Sequence, residues 1–138
     1  MMNKARCEFL SKSVNEGFAR NVAAAFLLQY DPTVEFMADV KTAVSEAVTN
    51  AVVHGYREKS GTVIMELSEK DGVFSVTVED YGCGIDDVKQ AMQPLFTTHA
   101  DEERSGMGFT VMEMFMDTVE VTSKREVGTK IVMTKKLG

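Results

Sequence analysis

Two kinds of residue pattern could do chemistry here: one helix face and three glycine clusters. Glu46 and Asn50 stand four residues apart, which on a helix puts them one turn apart on the same face. A carboxylate so placed can take a proton from an attacking hydroxyl. An Asn carbonyl is a hard, neutral oxygen that suits a Mg²⁺ still carrying waters and phosphate oxygens. The clusters are Asp80-Tyr81-Gly82-Cys83-Gly84-Ile85, Gly106-Met107-Gly108 and Gly128-Thr129. Glycines let a backbone approach a ligand closely and adopt dihedrals closed to other residues. Gly106 and Gly108 precede a helical pattern, whose free first N–H groups and dipole favour phosphate. Each feature also has a plain structural reading, as turn glycines or as a solvated helix face. No Walker loop or Rossmann turn occurs, because neither glycine spacing is present.

The elements that must position these residues follow from periodicity. Ala5, Cys7 and Phe9 alternate with polar neighbours, as in a half-buried strand. Ser13 and Glu16 have the spacing of a capping box, and Val14, Phe18, Val22, Ala25, Phe26 and Gln29 follow at helical spacing. Asp31-Pro32 is expected to close that helix and open the next, with Asp as N-cap and Pro at the first helical position. The second helix is predicted to reach about His54 and stop at Gly55. Its apolar stripe is Val40, Ala43, Val44, Ala47, Val48, Ala51 and Val52, and its opposite side carries Thr42, Glu46, Thr49, Asn50 and Arg57.

Thr62 to Ser68 and Val73 to Glu79 read as strands joined through Asp71-Gly72, a strong hairpin signal. A short helix is predicted from Asp86 to Met92, before Pro94. Residues 93–105 are polar and unperiodic, a long loop of the kind that serves as a lid. Met107 to Met116 reads as a helix, with Val119 to Lys124 and Thr129 to Lys135 as a closing strand pair. The order β-α-α-β-β-loop-α-β-β predicts an α+β fold, a two-layer sandwich whose mixed sheet is covered on one face by helices.

The chain has 138 residues, which fits one domain over its whole length. Fifteen basic against twenty-one acidic side chains leave a net charge of -6. That balance argues against direct nucleic-acid binding, which normally shows a basic field. The longest apolar run, Val22 to Leu28, is far short of the ~20 residues that span a bilayer, and the start lacks a signal-peptide core. Cys7 and Cys83 are too few for a disulfide framework and fit a reducing compartment. The expectation is a cytoplasmic protein with no membrane association.

Taken in order, four segments resemble the boxes of the GHKL ATP-binding superfamily of gyrase, a heat-shock chaperone, histidine kinases and a mismatch-repair ATPase. They are Glu46-Ala47-Val48-Thr49-Asn50-Ala51-Val52-Val53-His54, the Asp80 cluster, Gly106-Met107-Gly108 and Gly128-Thr129. This likeness spans about residues 40–135. Glu46 to Tyr56, Pro94-Leu95-Phe96-Thr97-Thr98 and Glu103 to Phe109 are especially similar to the anti-sigma serine kinases of Gram-positive spore formers, a likeness that extends from Cys7 to the end. Cys83 departs from them, standing where a lysine is common. Between two glycines, it is expected to matter little for nucleotide contact.

The resemblance implies ATP or ADP with Mg²⁺ as cofactors. Asn50 would ligate Mg²⁺, and Glu46 would act as general base toward a serine hydroxyl. Asp80 would accept a hydrogen bond from the adenine amino group, supported by Thr129. Gly82, Gly84, Ile85, Ser105, Gly106, Met107 and Gly108 would line the ribose and phosphates. Thr97, Thr98 and Arg104 belong to an ATP lid at about residues 93–107, with Arg104 neutralising the terminal phosphates. Arg20, on the first helix, is implied as a partner contact. The implied function is to hold a sporulation sigma factor inactive and phosphorylate a serine on its anti-anti-sigma antagonist. The N-terminal strand offers an edge that can pair in a homodimer. A stress-response anti-sigma kinase and a non-catalytic ATP-gated binding module are the alternatives. A histidine-kinase catalytic domain would need a phosphoacceptor helix pair, and neither His54 nor His99 lies in such a segment.

Overall fold

Alternating apolar residues in five segments build one sheet, and two amphipathic helices supply most of the layer that covers it. The computed structural model describes residues 1–56, 60–85, 88, 92 and 108–138. In chain order these give β1 (Asn3–Leu10), α1 (Asn15–Leu27), a 3₁₀ turn (Leu28–Tyr30), α2 (Val34–Thr49), a π-helical turn (Asn50–Gly55), β2 (Thr62–Lys70) and β3 (Val73–Asp80). Then follow α3 (Gly108–Phe115), β4 (Thr118–Lys124) and β5 (Gly128–Lys136). The predicted helix from Asp86 to Met92 and the lid lie mostly or wholly outside the described residues. Of that helix only Val88 and Met92 are described, and the Met92 N–H donates to the Val88 carbonyl at 3.0 Å.

The strand order is β1-β2-β3-β5-β4, and every neighbouring pair is antiparallel. The α+β two-layer expectation holds, but its mixed sheet is corrected to an antiparallel one. The cause is where the crossover lands. β3 and β4 run parallel, yet β5 folds back through a hairpin and inserts between them, pairing antiparallel with both. The Asp71-Gly72 hairpin forms where expected, with both residues at positive φ (52° and 82°) as a two-residue turn of this kind requires.

One face of the sheet meets the helices. Val63, Met65 and Leu67 of β2, Phe74, Val76 and Val78 of β3, and Ile131 and Met133 of β5 are buried there. Opposite them lies the whole predicted stripe, Val40, Ala43, Val44, Ala47 and Val48 of α2 with Ala51 and Val52 of the π-helical turn, also buried. Removing this apolar surface from water is the main drive for joining the two layers. Lys135 ties them at one end: its ammonium donates to the Phe115 carbonyl at the end of α3 (2.7 Å) and lies 3.5 Å from the Asp39 carboxylate.

Both expected helix starts differ in detail. No capping box forms, and α1 starts at Asn15 without a side-chain cap. The Glu16 carboxylate is taken instead by Arg20 (2.8 Å) and by the Ser45 hydroxyl of α2 (2.9 Å). Asp31 adopts the left-handed conformation (φ 49°) that ends the 3₁₀ turn, so it is not the cap of α2. Thr33 takes that place, its hydroxyl accepting the Phe36 N–H at 3.0 Å.

Candidate functional site

Asp80 and Thr129 are the buried polar side chains among the described residues. They face each other across the β3–β5 pairing at the ends of their strands. Alternation sends both toward the helix layer, in line with Phe74, Val76, Val78, Ile131 and Met133. A carboxylate ending an apolar column is costly unless hydrogen bonds receive it. Burial pushes the Asp80 carboxyl up to about 6, while the backbone N–H groups of Gly82 and Thr129 pull the other way. The Gly82 N–H donates to Asp80 Oδ1 at 2.9 Å.

The surroundings of this carboxyl are backbone. Gly55, closing the π-helical turn, lies so near that a Cβ there would sit 2.8 Å from Asp80 Oδ1. A Cβ on Gly82 would fall 2.0 Å from the Gly55 carbonyl oxygen, and one on Gly128 2.1 Å from the Asp80 carbonyl oxygen. The glycines of the first and third clusters, Gly82 and Gly128, therefore serve close backbone packing around Asp80, beyond the needs of a turn. Gly84 combines a positive φ (73°) with 2.1 Å to the Lys124 carbonyl oxygen, and so excludes any side chain twice over.

The segment after Asp80 is pinned from both sides. The Cys83 N–H donates to the Gly55 carbonyl (2.8 Å) and its thiol to the His54 carbonyl (2.9 Å). On the far side, the Glu126 N–H from the β4–β5 turn donates to the Cys83 carbonyl (2.6 Å). The Ile85 N–H donates to Ser123 Oγ (2.7 Å), which lies 2.8 Å from the Thr129 hydroxyl.

Glu46 and Asn50 sit on the helix that carries this arrangement. Both are half-buried, Glu46 in the last turn of α2 and Asn50 at its junction with the π-helical turn. A Cβ on Gly108, the first residue of α3, would lie 3.4 Å from Glu46 Oε2, so the second glycine cluster ends beside that carboxylate. The structure thus brings Asp80, Gly82, Gly84, Ile85 and Thr129 into one group and Glu46 with Gly108 into another, both anchored on α2 and its extension. Arg20 belongs to neither. It is half-buried on α1, held by Glu16 and 3.5 Å from the Ser45 hydroxyl. Thr97, Thr98, Arg104, Ser105, Gly106 and Met107 lie outside the described residues.

Sequence reasoning missed Gly55, Tyr56 and Ser123 as parts of this site. Ser123 had left a trace: it is the polar member of the column Val119, Val121, Ser123 on the helix-facing side of β4. Gly55, from sequence alone, carries only the signal of a helix stop.

A family model described as the histidine kinase-like ATPase domain matches residues 10–135. The anti-sigma F factor of Clostridium perfringens is 56% identical over 138 residues, covering 99% of each chain. That of Clostridium novyi is 57% identical over 138 residues, covering 98% of this chain and 95% of the relative. Among solved structures, the RsbU and RsbW domains of a Mycobacterium tuberculosis protein match with a TM-score of 0.72 at 20% identity, over 98% of this chain and 32% of that one. The catalytic domain of the histidine kinase ThkA matches with a TM-score of 0.59 at 11% identity, over 96% of both chains. These two share the fold.

Proposed function

We propose, for a chain that belongs to the histidine kinase-like ATPase family and within it to the anti-sigma F factors, that it inhibits a sporulation sigma factor and uses ATP to phosphorylate a serine of its anti-anti-sigma antagonist. The observation that carries this reading is a buried Asp80 carboxyl enclosed by glycine backbone, on the same helix-anchored framework as Glu46. A buried acceptor of this kind suits the amino group of adenine, because a site built to hydrogen-bond one group rejects ligands that lack it.

In this reading Thr129 supports Asp80, and Gly82, Gly84 and Ile85 present backbone to the ribose and phosphates. Glu46 accepts the proton of the attacking serine hydroxyl as the Oγ–P bond forms and ADP leaves. Asn50 holds Mg²⁺, which neutralises phosphate charge when bound. One neutral oxygen fits an ion that keeps most of its shell as water and phosphate. Arg104 neutralises the terminal phosphates, with Thr97, Thr98, Ser105, Gly106, Met107 and Gly108 beside them. Positioning and charge neutralisation are most of what phosphoryl transfer asks of a protein.

Arg20 is proposed as a partner contact, its guanidinium oriented by Glu16. A homodimer is proposed through β1, which lies at the sheet edge. A cytoplasmic location is proposed; no helix among the described residues is long and apolar enough to cross a membrane.

The test is transfer from labelled Mg-ATP to the antagonist. Glu46→Gln should slow phosphoserine formation by about 10²–10⁴-fold, the usual worth of a positioned base, while leaving ATP binding nearly unchanged. Transfer at the wild-type rate would remove Glu46 from the base role. ATP binding with no phosphoserine from the wild-type protein would favour the ATP-gated binding module instead.

A further inference from the structure

Tyr56 stands just past the π-helical turn, and its hydroxyl is spent entirely on two distant backbone groups. It donates to the Thr62 carbonyl at the start of β2 (2.6 Å) and accepts the Tyr81 N–H, immediately after Asp80, at 2.8 Å. Its ring lies over Gly61, where a Cβ would come within 2.1 Å of Cε1, so a side chain at 61 would displace the phenol. The anchor is itself fixed to Ser11, the residue just after β1. The Ser11 N–H donates to the Gly61 carbonyl (2.9 Å) and the Gly61 N–H donates to Ser11 Oγ (2.9 Å).

The π-helical geometry helps place the ring. The Tyr56 N–H bonds the Ala51 carbonyl, five residues back, at 3.1 Å. Such turns arise where one residue is accommodated beyond α spacing, and they concentrate at functional sites. Here the turn delivers three consecutive residues to the segment after Asp80: the His54 and Gly55 carbonyls meet Cys83, and the Tyr56 hydroxyl meets Tyr81.

We propose that Tyr56 is a positioning residue for nucleotide-base selection: its hydroxyl holds the Tyr81 backbone, and through it the Gly82 N–H, so that the Asp80 carboxylate keeps one orientation. The inference rests on the reading of Asp80 as the acceptor for the adenine amino group. With the hydroxyl gone, the Tyr81 N–H loses its partner and the segment between Asp80 and Cys83 gains freedom. Asp80 then presents its oxygen less sharply, and the preference for a base bearing an amino group falls.

The experiment measures binding of ATP and of purine riboside triphosphate, which lacks the 6-amino group, to wild type, Tyr56→Phe and Asp80→Ala. Phe keeps the ring over Gly61 and removes the hydroxyl alone. The wild type should prefer ATP clearly, and Asp80→Ala should lose that preference. Tyr56→Phe should weaken ATP binding about five- to tenfold, near the worth of one hydrogen bond, with little change for the analogue. A general loss of stability would weaken both ligands alike, and that result would overturn the proposal, as would a full ATP preference in Tyr56→Phe. No preference in the wild type would overturn the Asp80 reading itself. Amide exchange gives an independent measure in the unliganded protein. Tyr56→Phe should speed exchange at Tyr81 while leaving Val76 and Val78 in the core of β3 unchanged, and unchanged exchange at Tyr81 would count against the positioning role.

Discussion

At Asp80 the cost of burial can be read as a pH dependence. The carboxyl sits at about 6 in the fold against 3.8 in the open chain, because burial disfavours its charge more than the Gly82 and Thr129 amides favour it. Between those values the folded form binds more protons than the unfolded one, so this group adds stability as pH falls from about 6 toward 3.8. Above about 6 its charge costs the unliganded protein about 3 kcal/mol, the product of the shift and 1.36 kcal/mol per unit. Asp80→Asn removes the titration. Denaturant midpoints of the two proteins at pH 4 to 7 should diverge with rising pH in favour of the variant. Parallel curves would show that the carboxyl does not titrate in that window. Part of the site was legible in these residues and part was not. Asp80, Thr129 and the glycines stood out through a family resemblance carried by local motifs. Tyr56 and Ser123 act across register, each joining backbone from segments more than twenty residues away, and no local spacing encodes such a partner.

Elements were legible where one periodicity ruled them. The α2 stripe and both hairpins came through because burial on one face repeats at 3.6 or at 2 residues, whatever the neighbours are. Helix starts were less so, since a cap depends on what else competes for the side chain. Glu16 was free to close a capping box, but Arg20 and Ser45 offered it a charged partner and a link to α2. The glycine turns make an element-scale prediction by contrast. Gly72 has a positive φ with open space around its missing Cβ, so Gly72→Ala should cost about 1–2 kcal/mol, the left-handed penalty alone. Gly82 has no positive φ, but its Cβ would meet the Gly55 carbonyl, and that carbonyl cannot move without releasing Cys83. Gly82→Ala should therefore weaken nucleotide binding at least tenfold, while Gly72→Ala leaves it unchanged. Calorimetric titration with ADP separates the two, and equal affinities would mean that the contact at Gly55 relaxes freely.

Across the whole molecule, the helix layer and the sheet meet along an apolar seam that ends at Asp80 and Thr129, so the buried core and the candidate base site are continuous. Nucleotide binding at that end should therefore stabilise the fold as a unit. A ligand that binds only the folded state adds RT ln(1 + [L]/Kd), about 2.7 kcal/mol at a hundredfold excess over Kd. For a chain of this size that corresponds to a rise in melting temperature of about 10 °C. ATP or ADP with Mg²⁺ should give such a rise. GTP should give much less, because a carbonyl replaces the amino group at the position that would face the Asp80 carboxylate, setting acceptor against acceptor. The scan is best run above pH 6, where Asp80 is ionised and its burial cost stands uncompensated. Equal shifts with ATP and GTP would place binding on the phosphates alone and leave Asp80 a structural carboxylate at the end of the core.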